Sequence, residues 1–387
     1  MKVTRSRRSF LVSGLALPAV ASVSSAAGSA QSQSAEPAPV RPFSGAELQH
    51  RTLGKTGLRV TTVGYGTMIT SDPTVIARAV DMGVNYFDTA RNYQNGQNER
   101  MVGAALGSKR KKIFLASKSS DDPSTGRGIL TEIETSLKEL NTDYLDVWHL
   151  HGLDNPAQIS DELVAAQRQA KQQGKIRFAG VSTHNLPAIV DRIIEAKIEV
   201  VQTQYNFASD RNCGPALEKL HQAGVGLIAM KVMAKAGRRG SRPERAANFA
   251  AAALKWAIKN PAIATTVPSM TDIDQLQENF RAMSEPFTEA DSKILMARLE
   301  EIGPYFCRMC GGCQDQCQKG LPVADMVRFV MYADGYGQFP LGREHFLDMS
   351  AEHQQVRCSD CGNCTVRCPN GVHVEAQLSR AQELFAC

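Results

Sequence analysis

Eight times between residues 62 and 282, a short apolar run gives way to a longer stretch whose apolar positions recur at helical spacing. The candidate strands are Thr62–Thr67, Asn85–Thr89, Ile113–Lys118, Tyr144–His151, Ile176–Ser182, Val200–Tyr205, Gly226–Met230 and Ile263–Val267. The helical stretches that follow them cover 74–82, 98–107, 128–140, 157–173, 187–196, 214–223, 244–259 and 272–282. Such alternation imposes parallel pairing, because each helix carries the chain back to start the next strand in the same sense, and these crossovers are right-handed. Eight units in roughly 230 residues predict a closed, eight-stranded parallel (β/α) TIM barrel, which typically takes about 250. An open doubly wound sheet is the alternative. It would want a glycine-rich fingerprint after its first strand, and Gly64-Tyr65-Gly66 leads into none. Arg51 to Val60, with Gly54 and Gly57 between apolar positions, predicts a hairpin across one end of the fold.

In barrels and parallel sheets, chemistry collects at the carboxyl ends of the strands. Asp88 stands near the end of the second strand and Tyr93 on the loop after it; Lys118 ends the third strand and His151 the fourth. An Asp near a Tyr would alone read as a carboxylate capping a loop, but these four aim polar groups at one rim. Phe87-Asp88-Thr89-Ala90 with Tyr93, Lys118, Leu150-His151 and the opening Leu53-Gly54-Lys55-Thr56-Gly57-Leu58 resemble the aldo-keto reductases, in order, over residues 50 to 282. The resemblance implies hydride transfer between NAD(P)(H) and a small-molecule carbonyl or alcohol, with Asp88, Tyr93, Lys118 and His151 as the catalytic tetrad. Its physical logic is plain. A carbonyl accepting hydride needs a proton donor within hydrogen-bond reach, and a free tyrosine, with a pKa near 10, exchanges protons poorly. A neighbouring ammonium stabilises the phenolate, a carboxylate holds that ammonium in place, and the histidine orients the carbonyl. His149, two residues before His151, reads as barrel filling or as a residue supporting the site from behind.

For the nucleotide, Ser182 and Asn185 in Gly180-Val181-Ser182-Thr183-His184-Asn185 resemble the pair that holds the nicotinamide carboxamide, and Gln202 resembles the family's amide-binding glutamine. Glu278 and Asn279 match the adenine side. The chain departs from the family twice. Where an aromatic residue usually stacks on nicotinamide after strand seven it has Ala229-Met230-Lys231, so Met230 or Lys231 must serve. After strand eight, Ser269 and Gln275 stand where the residues that grip a 2′-phosphate are commonly basic, which leaves NAD against NADP open.

Nine of the ten cysteines follow residue 306. Cys307, Cys310, Cys313 and Cys317 form one C-x2-C-x2-C-x3-C run, and Cys358, Cys361, Cys364 and Cys368 form another. The repeat resembles the two-cluster bacterial ferredoxins and implies two 4Fe–4S clusters in a small, mainly helical domain. In such proteins the fourth cysteine of each run ligates the other cluster. That pairs Cys368 with Cys307, Cys310 and Cys313, and Cys317 with Cys358, Cys361 and Cys364. Only the second run is followed at once by proline, Pro369; the first reaches Pro322 later. Two structural zinc sites are the alternative. Thr288 to Ile302 reads as a capped connecting helix.

At the other end, Arg7-Arg8 precede a short apolar stretch, Leu11 to Val23, and small residues suited to cleavage after Ala27 or Ala30. This order resembles a twin-arginine signal, which implies export of a folded, cofactor-loaded protein by the twin-arginine machinery to the periplasm. The stretch is too short for a permanent membrane span. The expected domains are a signal over 1–30, a linker over 31–48, the barrel over 49–285, the connecting helix over 286–302 and the ferredoxin-like domain over 303–387. A net charge of +5 without a long basic run implies no nucleic-acid partner. The functional reading is a reductase coupled through its clusters to a redox partner protein; the alternative is an electron-transfer protein whose barrel is only a scaffold.

Overall fold

A computed structural model of the protein describes residues 48–120, 125–235 and 248–386. The signal-like segment, the linker through residue 47, and the start of the expected helix over 244–259 lie outside the described residues. The chain opens on an antiparallel hairpin of β1 (His50–Thr52) and β2 (Arg59–Thr61). Between its strands Gly54 holds φ +52, and a Cβ there would run into the backbone of Val225 and Gly226. Leu53, Leu58 and Val60 of the hairpin join Tyr86, Ala116, Val147, Val200 and Ile228 in one buried apolar cluster. The hairpin thus plugs the amino-terminal end of the barrel and leaves the opposite end for chemistry.

The barrel strands are β3 (Tyr65–Gly66), β4 (Tyr86–Asp88), β5 (Phe114–Lys118), β6 (Leu145–Leu150), β7 (Ile176–Thr183), β8 (Val200–Gln204), β9 (Gly226–Met230) and β10 (Ile263–Thr266). All neighbours pair in parallel in chain order, and bridges Val63↔Thr266 and Gly66↔Ser269 join the first strand to the last. Around them lie α1 (Pro73–Asp81), α2 (Gln97–Leu106), α3 (Gly126–Glu139), α4 (Asp161–Gln172), α5 (Leu186–Glu195), α6 (Cys213–Gln222), α7 (Phe249–Lys259) and α8 (Ile273–Arg281). The expected helix over 157–173 divides. Asn155 and Gln158 close a capping box on a single short turn, and Ser160 then caps α4 afresh, its hydroxyl accepting from the Leu163 N–H. The second strand runs from Tyr86, one residue later than expected, and the Asn85 side chain before it bonds the hairpin at Thr61 N and Arg59 O.

Thr288 caps α9 (Glu289–Ile302) through a reciprocal box with Asp291. Asp291 also pairs with Lys255 of α7 at 2.8 Å, which fixes α9 to the barrel wall. Beyond it come α10 (Val323–Val330), a π-turn over Met331–Gly335, α11 (Phe339–Leu347), α12 (Ala351–Gln355) and α13 (Val374–Phe385). This region has its own core, in which Met326, Val327, Val330, Phe346, Leu378 and Phe385 meet the cysteine loops. A second apolar cluster, Ala208 and Ala234 with Ile302, Phe306, Met331 and Tyr332, seats it on the loops after β8 and β9. Those loops leave the carboxyl ends of barrel strands, so the helical domain covers the barrel's mouth. Among the described residues no helix is long and apolar enough to cross a membrane.

Candidate active site and iron–sulfur sites

At the mouth, β5 ends on Lys118, which is fully buried. Its Nζ donates to Asp88 Oδ2 at 2.6 Å and to the Thr89 carbonyl at 2.8 Å. The same ammonium lies 5.1 Å from the centroid of the Tyr93 ring, and the Tyr93 and His151 rings meet edge to face at 6.1 Å. The structure therefore gathers all four tetrad candidates. Gln202 joins them by donating to Asp88 Oδ2 at 3.2 Å. The loop bearing Tyr93 turns through three successive left-handed residues, Gln94, Asn95 and Gly96. Behind it Asn98 Oδ1 accepts from Thr67 Oγ1 and Thr89 Oγ1, while Glu99 accepts from Ser117 and pairs with Arg91. This buried network fixes the tyrosine's loop to three strands, and nothing in the motif pointed to it. His149 is fully buried inside the barrel wall, where a Cβ on Gly180 would overlap its ring, and burial holds its pKa well below the ordinary value. It fills the barrel.

Asp88, Tyr93, His151, Gln202, Met230 and Lys231 line one cavity of about 260 Å3. Ser182 and Asn185 do not line it. The Ser182 hydroxyl accepts from the Gly152 N–H at 2.9 Å, and the Asn185 side-chain amide faces Gly311 in the first cysteine run. His184 takes the wall between them. Its ring meets Asp154 at 3.5 Å and Arg328 of α10 at 3.2 Å, and burial, aided by the Lys231 and Arg328 charges, pushes its pKa down to about 3. Although burial opposes it, His184 and Arg328 hold the Asp154 carboxyl below its usual range. Glu278 and Asn279 sit on α8, away from this cavity. The cavity's roof was invisible to sequence reasoning. It is made by Asp325, Arg328 and Phe329 of α10, Tyr332 and Tyr336 at the π-turn, and His345 of α11. The one clue was Lys231 in an aromatic residue's place: its Nζ donates to Tyr332 of the roof at 2.8 Å.

Two orphaned acceptors fit a nicotinamide nucleotide. Gln202 Oε1 beside the tetrad and Asn279 Oδ1 on α8 are buried without a hydrogen-bond partner among the described residues. Amide and amine donors of a nucleotide would satisfy them. The cysteines also answer to their expected group. The thiol of Cys307 is influenced by Cys310, Cys313 and Cys368, and that of Cys358 by Cys317, Cys361 and Cys364. The fourth cysteine of each run thus stands with the other run. Burial pushes Cys307 up to about 12 and Cys358 up to about 11, so thiolates there call for the positive charge of bound metal. Around the first set, the Met309 N–H, the Asn370 N–H and the Asn370 side-chain amide donate to Cys307, Cys368 and Cys310 sulfurs at 3.4, 3.4 and 3.2 Å. Around the second, Cys317, Cys358, Cys361 and Cys364 border a cavity of about 30 Å3. Among the described residues no three His, Cys, Asp or Glu side chains converge as a single-ion site.

Comparison with known proteins agrees with this geometry. The model of the aldo/keto reductase family matches residues 70–248 and 244–300, and that of a 4Fe-4S dicluster domain matches residues 297–374. An uncharacterized oxidoreductase, YqkF, of Bacillus subtilis is 28% identical over 300 residues, which span 66% of this chain and 97% of the relative. Among solved structures, the holo form of an aldo-keto reductase from Bacillus halodurans superposes with a TM-score of 0.56 at 24% identity, covering 65% of this chain and 96% of its own. A Bombyx mori aldo-keto reductase in complex with NADP superposes with a TM-score of 0.53 at 20% identity, covering 64% and 92%. The chain belongs to the aldo/keto reductase family, and is an NAD(P)-dependent oxidoreductase that carries an iron–sulfur domain at its carboxyl end.

Proposed function

We propose that the enzyme interconverts a small carbonyl compound and its alcohol in the roofed cavity, with Tyr93 as proton donor and acceptor, and exchanges the electrons with a partner protein through two 4Fe–4S clusters. The observation that carries this reading is the Lys118 ammonium, wholly buried, fixed by Asp88 and set against the Tyr93 ring. A scaffold has no use for so costly an arrangement. Bound nicotinamide would supply the hydride, and two electrons passed one at a time through the clusters, together with one proton from solvent, would restore it for the next turnover. The protein's own residues do the rest. Tyr93 passes its hydroxyl proton to the carbonyl oxygen, and Lys118 stabilises the phenolate left behind. His151 faces the Tyr93 ring and orients the carbonyl, and Gln202 holds the nucleotide's amide through its unpartnered oxygen. Met230 and Lys231 border the nucleotide, with Glu278 and Asn279 on its adenine side; Ser182 acts from behind the wall by fixing Gly152.

Cys307, Cys310, Cys313 and Cys368 hold the cluster nearer the barrel, a reading supported by the grouping of these four thiols and by the approach of Gly311 to Asn185. Cys317, Cys358, Cys361 and Cys364 hold the other, on the side where a redox partner exchanges electrons. The twin-arginine-like segment carries the loaded protein to the periplasm, where free nucleotide is scarce, so nucleotide is retained beneath the roof as a bound group. Protein purified without oxygen from the periplasm should hold nearly eight irons and one nicotinamide nucleotide per chain, a stoichiometry estimated from the two four-cysteine sets. Colourless, iron-free protein, or protein without affinity for either nucleotide, would end this reading.

A further inference from the structure

Lys231 has no part in the tetrad chemistry, yet its setting is unusual. It follows β9, four strands around the barrel from the β5 that carries Lys118, so it faces the tetrad lysine across the mouth. Its backbone is held at φ +55, an uncommon conformation for a residue with a side chain. The ammonium donates to Tyr332 Oη at 2.8 Å and lies 4.5 Å from that ring's centroid. Among the described residues no carboxylate forms an ion pair with it. The charged groups that act on it are Arg328, another cation, and Asp154, whose oxygens already serve Thr183, His184 and the Asn185 N–H. Burial pushes the Lys231 pKa below the ordinary lysine value; Tyr332 draws it upward and Arg328 downward. Lys231 is half-buried, and a cation drawn even part of the way into a cavity wall without its anion carries a desolvation cost.

We infer that Lys231 and Tyr332 form a two-donor subsite for an anionic oxygen, carboxylate or phosphate, of a ligand held in the cavity. The inference rests on the reading that this cavity holds nucleotide and carbonyl. An ammonium that gives one N–H to Tyr332 keeps two more, and a phenol oxygen that accepts from Lys231 keeps its own proton to donate. A single oxyanion between them receives charge-assisted hydrogen bonds from both, which are stronger than neutral ones. Tyr332 comes from the iron–sulfur domain and Lys231 from the barrel, so the bound anion also ties the roof to the wall. The anion has two possible sources: the diphosphate of the nucleotide, or an acid group on the substrate.

Titration calorimetry on the full-length, cluster-loaded protein separates them. One arm measures NADH, NADPH and ADP-ribose; the other measures oxamate, a carboxylate probe, on nucleotide-saturated protein. Lys231→Met should weaken binding by tenfold or more in one arm, Tyr332→Phe by severalfold in the same arm, and Lys231→Arg should restore most of the loss. A loss shared by all three nucleotides assigns the anion to the diphosphate, and a loss confined to oxamate assigns it to an acidic substrate. Affinities unchanged in both arms overturn the subsite. Should Lys231→Met fail to fold, Tyr332→Phe, which deletes one oxygen, carries the test. Wild-type protein that binds no nucleotide would instead sink the reading of the cavity, and oxamate titrated into the nucleotide-free wild type and variants would then decide the subsite.

Discussion

The pair at the centre of the mouth gives the most demanding prediction. In Asp88→Asn the carboxylate that meets Lys118 Nζ at 2.6 Å is replaced by a neutral amide of the same shape. The ammonium, with no exposed surface, loses its carboxylate and keeps the bond to the Thr89 carbonyl. Removing one partner of a buried ion pair typically costs about 3–5 kcal/mol, because the other charge is stranded. A folded body of roughly 340 residues unfolds with an entropy of about 0.7 kcal/mol per degree, so the melting temperature should fall by about 4–7 °C. Lys118→Met alone should cost a similar amount. The double variant Asp88→Asn, Lys118→Met should cost clearly less than the sum, since neither charge is then stranded. Differential scanning fluorimetry on cluster-loaded protein reads all three. Losses that simply add, or single losses under about 1 kcal/mol, would show that the two groups are not coupled as a buried pair.

Tyr93→Phe should lower carbonyl reduction by about 10² to 10⁴-fold while leaving nucleotide affinity near wild type, because only the proton donor is lost; full activity on every substrate of the wild type would refute the role. Cys368→Ser lies in the second run but should abolish the cluster of the first, and Cys317→Ser the reverse, as read by electron paramagnetic resonance after reduction. Signals lost in the order of the runs would refute the crossed ligand sets. His149 and His184 are both held neutral, with folded pKa values below the ordinary histidine value, about 3 for His184. An unfolded chain therefore binds more protons than the folded one below about pH 6.5, and stability must fall as pH drops from there toward 3. Urea unfolding followed by tryptophan fluorescence at pH 7 and pH 5 checks this. His184→Gln should flatten the slope, and an unchanged slope would count against a buried neutral imidazole.

Much of the barrel was legible because its signals are local. Period and turn residues placed each strand and helix within a few positions, and motif spacing brought Asp88, Tyr93, Lys118 and His151 to one rim before any coordinates. The errors fell where a side chain left its element to serve another, as Asn85 does for the hairpin, or where a cap restarted a helix, as Ser160 does. The nucleotide wall was harder to read. Ser182 and Asn185 match a pattern by sequence position; the structure sets the Ser182 hydroxyl on the Gly152 N–H and the Asn185 amide beside the first cysteine loop, and it places His184 on the cavity wall. The roof was not legible at all. Arg328, Tyr332 and His345 lie on short helices whose periodicity reports only what each buries, and nothing local says that their polar groups face a site built about a hundred residues earlier, as the Lys231–Tyr332 bond does.

The crossed cysteine sets also impose an order on manufacture. Cys368 stands with Cys307, Cys310 and Cys313, so no group that needs all four can be completed until synthesis has passed residue 368. The barrel, made earlier, is free to fold first, since domains fold as units from the amino terminus during synthesis. Its mouth lacks a roof until α10, the π-turn and α11 have been made, because these supply the residues over the cavity. A group held by cysteines of both runs would fasten the two loops to each other, and the core they share with Met326, Val327 and Val330 of α10 makes the roof over the site depend on the same loops.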